Sequence, residues 1–249
     1  STRYNSEFWD MIEIFESMEI WNGATPFAAG TINAKAFKKW LSLLDEGKRL
    51  TATTGSDTHN IYGDDYFGMT EWLDWLMDIV MKHPEIYPEQ MNEKVAYLTW
   101  LYKKVWPRLL SWVEQSNTPS TIHNYVYTNG KNQPQEILQA IREGHSFISN
   151  GPLITAEING VSYGDTATLK DNTGKLSVHV FSKKPINHLW MYTGVDKKVE
   201  ICTGSGSLEG GFAYDIVTDE FDFGGASWAL FVADGGENNL AISNPILFA

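Results

Sequence analysis

Gly144-His145-Ser146-Phe147-Ile148-Ser149-Asn150-Gly151-Pro152-Leu153-Ile154-Thr155-Ala156-Glu157-Ile158 is where the chain changes texture. Up to Ser149 an apolar run closes a strand–helix–strand passage. Gly151-Pro152 then breaks the chain, and Leu153–Ile158 opens a series of short alternating runs. Such runs recur at Lys175–Phe181, His188–Tyr192, Lys198–Ile201, Phe212–Val217, Ala226–Val232 and Pro245–Phe248, separated by turn pairs such as Asn159-Gly160 and Asp171-Asn172. Successive side chains on a strand point to opposite faces, so each run offers one apolar face that needs a second layer. Residues 151–249 are therefore expected to form an antiparallel β-sandwich.

Upstream of Gly144 the reading is α/β. Pro134–Glu143 is a helix with Pro in its first turn and Gly just past its end, flanked by strands Ile122–Tyr127 and His145–Ser149. Residues 66–117 differ, with Trp, Met and Leu at helical spacing and breaks at His83-Pro84 and Tyr87-Pro88. Helices over about 69–82 and 89–116 are expected there, as an insertion that is a candidate lid or dimer surface. Nearer the start, Ser6–Ser17 reads as a helix with Phe8, Met11, Ile12 and Phe15 on its buried face. Met18–Trp21 reads as a strand closed by Asn22-Gly23. Ala34–Glu46 is a helix capped by Asn33 and Gly47, with Phe37, Trp40, Leu41 and Leu44 inward, and Arg49–Thr54 is a β-branched strand ending at Gly55. Strand, helix, strand in that order implies parallel pairing, with any site at the C-terminal strand ends.

Charge narrows the function classes. With 31 acidic against 19 basic residues the formal net charge is −12, which repels phosphate backbones and anionic lipids, so neither nucleic acid nor a membrane surface is an expected partner. No apolar run approaches the roughly 18 residues that span a bilayer. The single Cys202 excludes an internal disulfide and a cysteine zinc site. An acidic, Trp-rich, cysteine-poor composition is compatible with export from a bacterium, and localisation is otherwise open. The start at Ser1, without Met, is expected of a processed or truncated product.

The sharpest chemical feature is Thr54-Gly55-Ser56-Asp57-Thr58-His59. The i, i+2 spacing puts Asp57 and His59 on one side of an extended backbone just beyond a strand end. A hard carboxylate oxygen beside an imidazole nitrogen suits Zn²⁺, Mn²⁺ or Fe²⁺, and Asp57 is also placed to act as the base that orients a water. The same residues have a second reading, with Asp57 satisfying turn amides and His59 on the surface. A hydrolytic metal needs at least three protein ligands. Among the other histidines, His83, His123, His145, His179 and His188 lack the spacing of a ligand set. His123, close to the α/β part, is the candidate for contact with substrate or with a metal ligand. His145 reads as structural, and His179 and His188 as solvent-facing strand residues. There is no Gly-x-Ser-x-Gly elbow, no Walker loop and no His-Glu-x-x-His helix.

Taken as an ordered series, these pieces resemble the polymerase and histidinol phosphatase (PHP) superfamily, and within it the CehA/McbA-type metallohydrolases. The resemblance is carried by Glu19-Ile20-Trp21-Asn22-Gly23, by Trp40-Leu41 through Leu44 followed by Gly47-Lys48-Arg49, and by Gly55-Ser56-Asp57-Thr58-His59. It continues through Tyr125-Val126-Tyr127, Ile137-Leu138 to Gly144-His145-Ser146-Phe147-Ile148-Ser149-Asn150-Gly151-Pro152, Gly164-Asp165 and Asn244-Pro245-Ile246. Where the family has Pro-Arg-Thr-Tyr-Val, this chain has Ile122-His123-Asn124-Tyr125-Val126, with His123 in place of a basic anchor.

The resemblance implies an α/β plus all-β fold. Residues 1–150 would be the C-terminal part of a distorted (β/α)7 PHP barrel with the helical insertion at about 66–117, and residues 151–249 the β-sandwich. It implies two to three divalent transition metals (Zn, Mn or Fe), bound by Asp57, His59 and ligands on a missing N-terminal segment that completes the barrel. Glu19 and Asn22 would organise the strand end behind those ligands. The implied reaction is hydrolysis of a small-molecule phosphoester or carbamate-type ester by a metal-activated water, with a homo-oligomer among the expected states. Two other readings remain open. One is a non-catalytic carbohydrate- or polymer-binding module using the Trp-rich insertion (Trp72, Trp75, Trp100, Trp106, Trp112) and the sandwich. The other is a family member that kept the fold and lost the chemistry.

Overall fold

A computed structural model describes residues 14–23, 27–56, 82, 122–202, 206–208, 210–236 and 239–249. Contacts divide the chain into one unit of Ser1–Gly55 with Ile122–Ala249 and a second of Ser56–Thr121. Among the described residues, every strand belongs to the first unit. The expected helical insertion and most of the expected Ser6–Ser17 helix lie outside the described residues.

The chain begins with strand β1 (Ser17–Asn22), helix α1 (Ile32–Asp45) and strand β2 (Thr51–Gly55), and β1 pairs parallel with β2. Phe15, expected on a buried helical face, is 40% exposed. Helix α1 forms where its apolar residues fall on one stripe, burying Phe37, Trp40, Leu41 and Leu44 as the spacing predicts. Its N-cap is Thr31, whose hydroxyl accepts from the Ala34 N–H, and not Asn33 as expected. Asn33 is buried and turned to β1 instead. The helix stops at Gly47, whose φ of 79° lies in the left-handed region that glycine occupies without a Cβ clash. The Trp40 indole donates to the Leu50 carbonyl at 2.8 Å, tying the helix to the start of β2.

The rest is β-rich. Strand β3 (His123–Val126), helix α2 (Pro134–Arg142) and β4 (Ser146–Ser149) precede β5 (Leu153–Ile158), β6 (Val161–Ser162), β7 (Thr166–Ala167) and β8 (Thr173–Ser182). Then follow β9 (His188–Gly194), β10 (Lys197–Cys202), β11 (Gly206–Leu208), β12 (Gly211–Asp222), β13 (Trp228–Asp234), β14 (Leu240–Ser243) and β15 (Ile246–Phe248). One sheet runs β11-β12-β8-β5-β6; the other runs β10-β9-β13-β14-β4-β3, with β15 joining β13 to β7. Ile154, Ile158, Leu176 and Val178 of the first sheet pack with Leu189, Met191, Phe231 and Ile246 of the second in one buried core. The expected antiparallel sandwich is present.

The expected barrel is not. Among the described residues parallel pairing is confined to β1–β2 and β7–β15, and every other strand pair is antiparallel. β3 and β4, expected as parallel barrel strands, run antiparallel with His123 opposite Ser149 and Val126 opposite Ser146, and β4 pairs onward with β14. The physical reason lies in α2. A crossover helix must cover a sheet face with an apolar stripe, whereas α2 buries only Ala140 and leaves Leu138 56% exposed. With nothing to cover, the chain doubles back and the two strands pair directly.

The βαβ unit packs on the other face of the larger sheet. Ile20, Trp40, Leu41, Leu44 and Ala52 share a second core with Ile148, Trp228, Leu230, Val232 and Ile242. Strand β13, Trp228-Ala229-Leu230-Phe231-Val232-Ala233, is thus buried on both sides and reads as a continuous apolar run. Two side-chain amides lock the layers. Asn244 accepts from the Ala52 N–H at 2.7 Å and donates to the carbonyls of Ala52 (3.4 Å) and Ser146 (2.9 Å). Asn124 accepts from the Thr54 N–H at 3.0 Å and donates to the Thr54 carbonyl at 2.8 Å. Together they occupy the edge of β2 that β1 does not.

Burial separates these amides energetically. Asn244 is fully buried, so Asn244→Ala strands the Ala52 N–H away from water and costs about 3 kcal/mol. Asn124 is exposed, water replaces its bonds, and Asn124→Ala costs about 1 kcal/mol. Chemical denaturation of the two variants measures the contrast; equal losses would contradict it.

Candidate functional site

The C-terminal ends of β1 and β2 lie side by side, Asn22 opposite Gly55, as parallel pairing requires. The Gly23 N–H donates to the Gly55 carbonyl at 2.7 Å, and the Thr54 hydroxyl donates to the Trp21 carbonyl at 2.6 Å. Asn22 is held from two sides. Its N–H donates to Asn33 Oδ1 at 2.9 Å and its carbonyl accepts from Asn33 Nδ2 at 3.0 Å, while its own Nδ2 donates to Glu19 Oε1 at 3.3 Å. The Glu19 carboxylate leans over the strand end, where a Cβ at Gly55 would stand 3.0 Å from Glu19 Oε2. Glycine at 55 thus makes room for the carboxylate.

Of the sequence-predicted site residues, the structure brings Glu19, Asn22 and the end of β2 together. Asp57 and His59 lie outside the described residues. His123 is exposed at the start of β3, its ring edge-on to Tyr125 with centroids 6.0 Å apart. The contact from this strand to β2 comes from its neighbour Asn124, which sequence reasoning passes over. Its only signal is an amide beside a strand, and no spacing rule distinguishes that from a turn residue.

A second feature also escapes sequence reasoning. An open depression of about 450 Å³ is lined by Tyr127, Lys131, Gln139, Glu143, His145 and Asp165 among others. His145 Nε2 lies 3.1 Å from Asp165 Oδ1 and Nδ1 lies 3.5 Å from Glu143 Oε2, so both ring nitrogens face carboxylates. From sequence His145 reads as structural and Gly164-Asp165 as a landmark only. Their meeting depends on Gly164, at φ 91°, where a Cβ would run into the Glu143 carbonyl oxygen and the His145 ring. Beside them, burial pushes the Tyr163 phenol far above its ordinary range, and its hydroxyl donates to the Ile154 carbonyl at 3.2 Å. Tyr163 is therefore a neutral structural donor and not an acid or base of this depression.

His179 and His188 face solvent as expected, but each is bound to a cross-strand carboxylate. His179 Nδ1 meets Asp215 Oδ1 at 2.6 Å and Nε2 meets Ser177 Oγ at 3.0 Å; His188 Nδ1 meets Glu200 Oε1 at 2.6 Å. The ring of His188 stacks on Trp190 with centroids 5.2 Å apart, and Lys198 Nζ sits 3.9 Å over the same indole. Trp190 is thus covered by its own neighbours. The tryptophans of the expected insertion lie outside the described residues. Among the described residues no group of three or more His, Cys, Asp or Glu side chains is arranged to hold a metal ion.

No protein-family model, curated protein or solved structure matches this chain. The functional reading therefore rests on local geometry and sequence.

Gly164→Ala forces a methyl group against backbone at a positive φ and is expected to cost about 3 kcal/mol, read by thermal or urea unfolding. Tyr163 supplies a pH test. Its folded-state pKa is raised, so its contribution is whole below the ordinary tyrosine range and is lost as pH rises beyond it. Stability should fall on the alkaline side, and less steeply in Tyr163→Phe.

Proposed function

We propose that the chain contributes to a metal-dependent hydrolase, with Asp57 and His59 as metal ligands and a small-molecule phosphoester or carbamate-type ester as substrate. The observation that carries this reading is the parallel β1–β2 end, where the Glu19 carboxylate reaches over Gly55, two residues before Asp57 in sequence. Open α/β units hold ligands at the C-terminal ends of parallel strands, and this is the end that precedes the Asp-x-His pair. Aspartate and histidine supply a hard oxygen and an imidazole nitrogen, a pair that fits Zn²⁺, Mn²⁺ or Fe²⁺. The reading does not depend on a PHP barrel.

When bound, such metals supply an activated water for attack on phosphorus or a carbonyl carbon and screen the negative charge that develops. Asp57 would hold metal and would be the acceptor for a proton from the attacking water. His59 completes the pair, and Glu19, hydrogen-bonded to Asn22, keeps the strand end in register behind them. His123 offers an exposed imidazole for the leaving group or substrate. The remaining ligands come from outside the described residues.

Metal analysis of the full gene product, loaded in turn with Zn²⁺, Mn²⁺ and Fe²⁺, tests the proposal against an Asp57→Ala/His59→Ala variant. Bound transition metal that falls in the variant, with phosphoesterase or carbamate-esterase turnover falling alongside, is the expected result. Glu19→Gln should lower activity about 10- to 100-fold with the fold intact. A protein that takes up no metal under any of the three conditions would overturn the reading.

A further inference from the structure

On the outer face of the β11-β12-β8-β5-β6 sheet, Ser177, His179 and Asp215 form one hydrogen-bonded series. Ser177 and His179 stand two residues apart on β8, so their side chains share a face, and Asp215 on β12 is directly opposite His179. Asp215 Oδ1 lies 2.6 Å from His179 Nδ1, and His179 Nε2 lies 3.0 Å from Ser177 Oγ. A proton on Nδ1 donated to Asp215 leaves Nε2 as the acceptor for the Ser177 hydroxyl. We propose that Ser177, His179 and Asp215 constitute a nucleophilic acyl-transfer site, independent of the metal chemistry proposed above, that accepts small activated esters.

The surroundings set its substrate class. The next row on the same face pairs Leu153 of β5 with Phe181 of β8, 43% and 41% exposed, an apolar strip for the acyl or aryl part of an ester. The row beyond His179 pairs Ser177 with Glu157 on β5 and Val217 on β12. Lys175 of β8, further along, is bound to Asp219 at 3.0 Å. Backbone N–H groups within a sheet are engaged in the ladder, so this face presents no oxyanion hole, and Glu157 disfavours negative charge nearby. The site therefore suits esters with good leaving groups, such as aryl esters, which need little oxyanion stabilisation.

The step balances without a co-reactant. Ser177 Oγ bonds to the ester carbonyl carbon as its proton passes to His179 Nε2, and the carbon–oxygen bond to the aryl group breaks, the aryl oxide receiving that proton. Water then attacks the acyl-serine, again giving its proton to His179, and carboxylic acid leaves as Ser177 recovers its hydrogen. Asp215 holds the ring in the required tautomer and does not itself exchange the proton.

The test is exposure of the whole protein to p-nitrophenyl acetate in the presence of a chelator, read by intact mass, peptide mapping and nitrophenol release. A single acetyl group on Ser177 is expected, absent in Ser177→Ala. His179→Gln should slow its formation about 100-fold and abolish the sigmoidal rise of rate with pH that an imidazole base gives. Asp215 contacts that imidazole, and the other titratable groups along the same face are Glu157 on β5, opposite Ser177, and the Lys175–Asp219 pair. All three side chains of the site are exposed or half-exposed, so the variants should keep the parent's unfolding midpoint. Acetylation spread over lysines and tyrosines, or an unchanged rate in either variant, would overturn the proposal.

Discussion

A β-strand with one partner has an unpaired edge, and the organisation of this protein follows from how β2 fills that edge. On one side β2 has β1. On the other, alternate residues Ala52 and Thr54 present their N–H and C=O groups to two asparagine side chains, Asn244 and Asn124. A primary amide carries one acceptor and two donors in a plane, so it reproduces the face of a peptide group. Two such amides stand in for a neighbouring strand. They also decide what β2 is joined to, because Asn124 belongs to β3 and Asn244 follows β14, both in the larger sheet. Asn244 adds bonds to the Ser146 carbonyl and hydroxyl at 2.9 and 3.0 Å, so one side chain binds β2 to β4.

The clamp explains why the larger sheet has no wet face at its centre. With the βαβ unit fixed along it, β13 and β14 must be apolar both ways. Trp228, Leu230, Val232, Leu240 and Ile242 point to one core, and Ala229, Phe231, Ala233 and Ala241 to the other. Asp45 at the end of α1 closes the seam from the far side. It accepts from the indole of buried Trp228 at 3.1 Å, satisfying a donor that the packing would otherwise leave without water, and from the exposed Val195 N–H at 3.0 Å. Each layer supplies partners that the others lack, a source of cooperative unfolding.

Much of this architecture is legible in the sequence. Strands with strong periodicity, such as Leu153–Ile158 and Thr173–Ser182, and helix α1 with its inner stripe, follow from spacing alone. Strand β14 is not, because Leu240-Ala241-Ile242-Ser243 is short, buried throughout and lodged between asparagines, which leaves no alternation to detect. The barrel expectation fails for a different reason. Residues 122–149 carry strand, helix and strand in the order of a parallel crossover, and order does not record whether the helix has a face to bury. Leu138, part of the family-like helix pattern, is exposed, and that single side chain distinguishes a covering helix from a connecting one. Contacts between distant residues, such as Asp165 with His145, are invisible because a spacing of 20 residues follows no local period.

Hydrogen-bond partners also bear on where metal chemistry belongs. A metal-bound histidine typically gives one ring nitrogen to a carboxylate or carbonyl and keeps the other for the ion. His145 faces carboxylates with both nitrogens, and His179 faces Asp215 with one and Ser177 with the other. Neither geometry presents a nitrogen toward a further donor cluster. Both pairs are exposed enough that each adds little to stability. The end of β2 is different in kind. It is a strand held at both edges, by β1 and by Asn124, with a carboxylate bent over its last residue. Rigid backbone beneath a site fixes ligand geometry better than a free loop does. The amide clamp, more than any barrel, is therefore what fixes the end of β2.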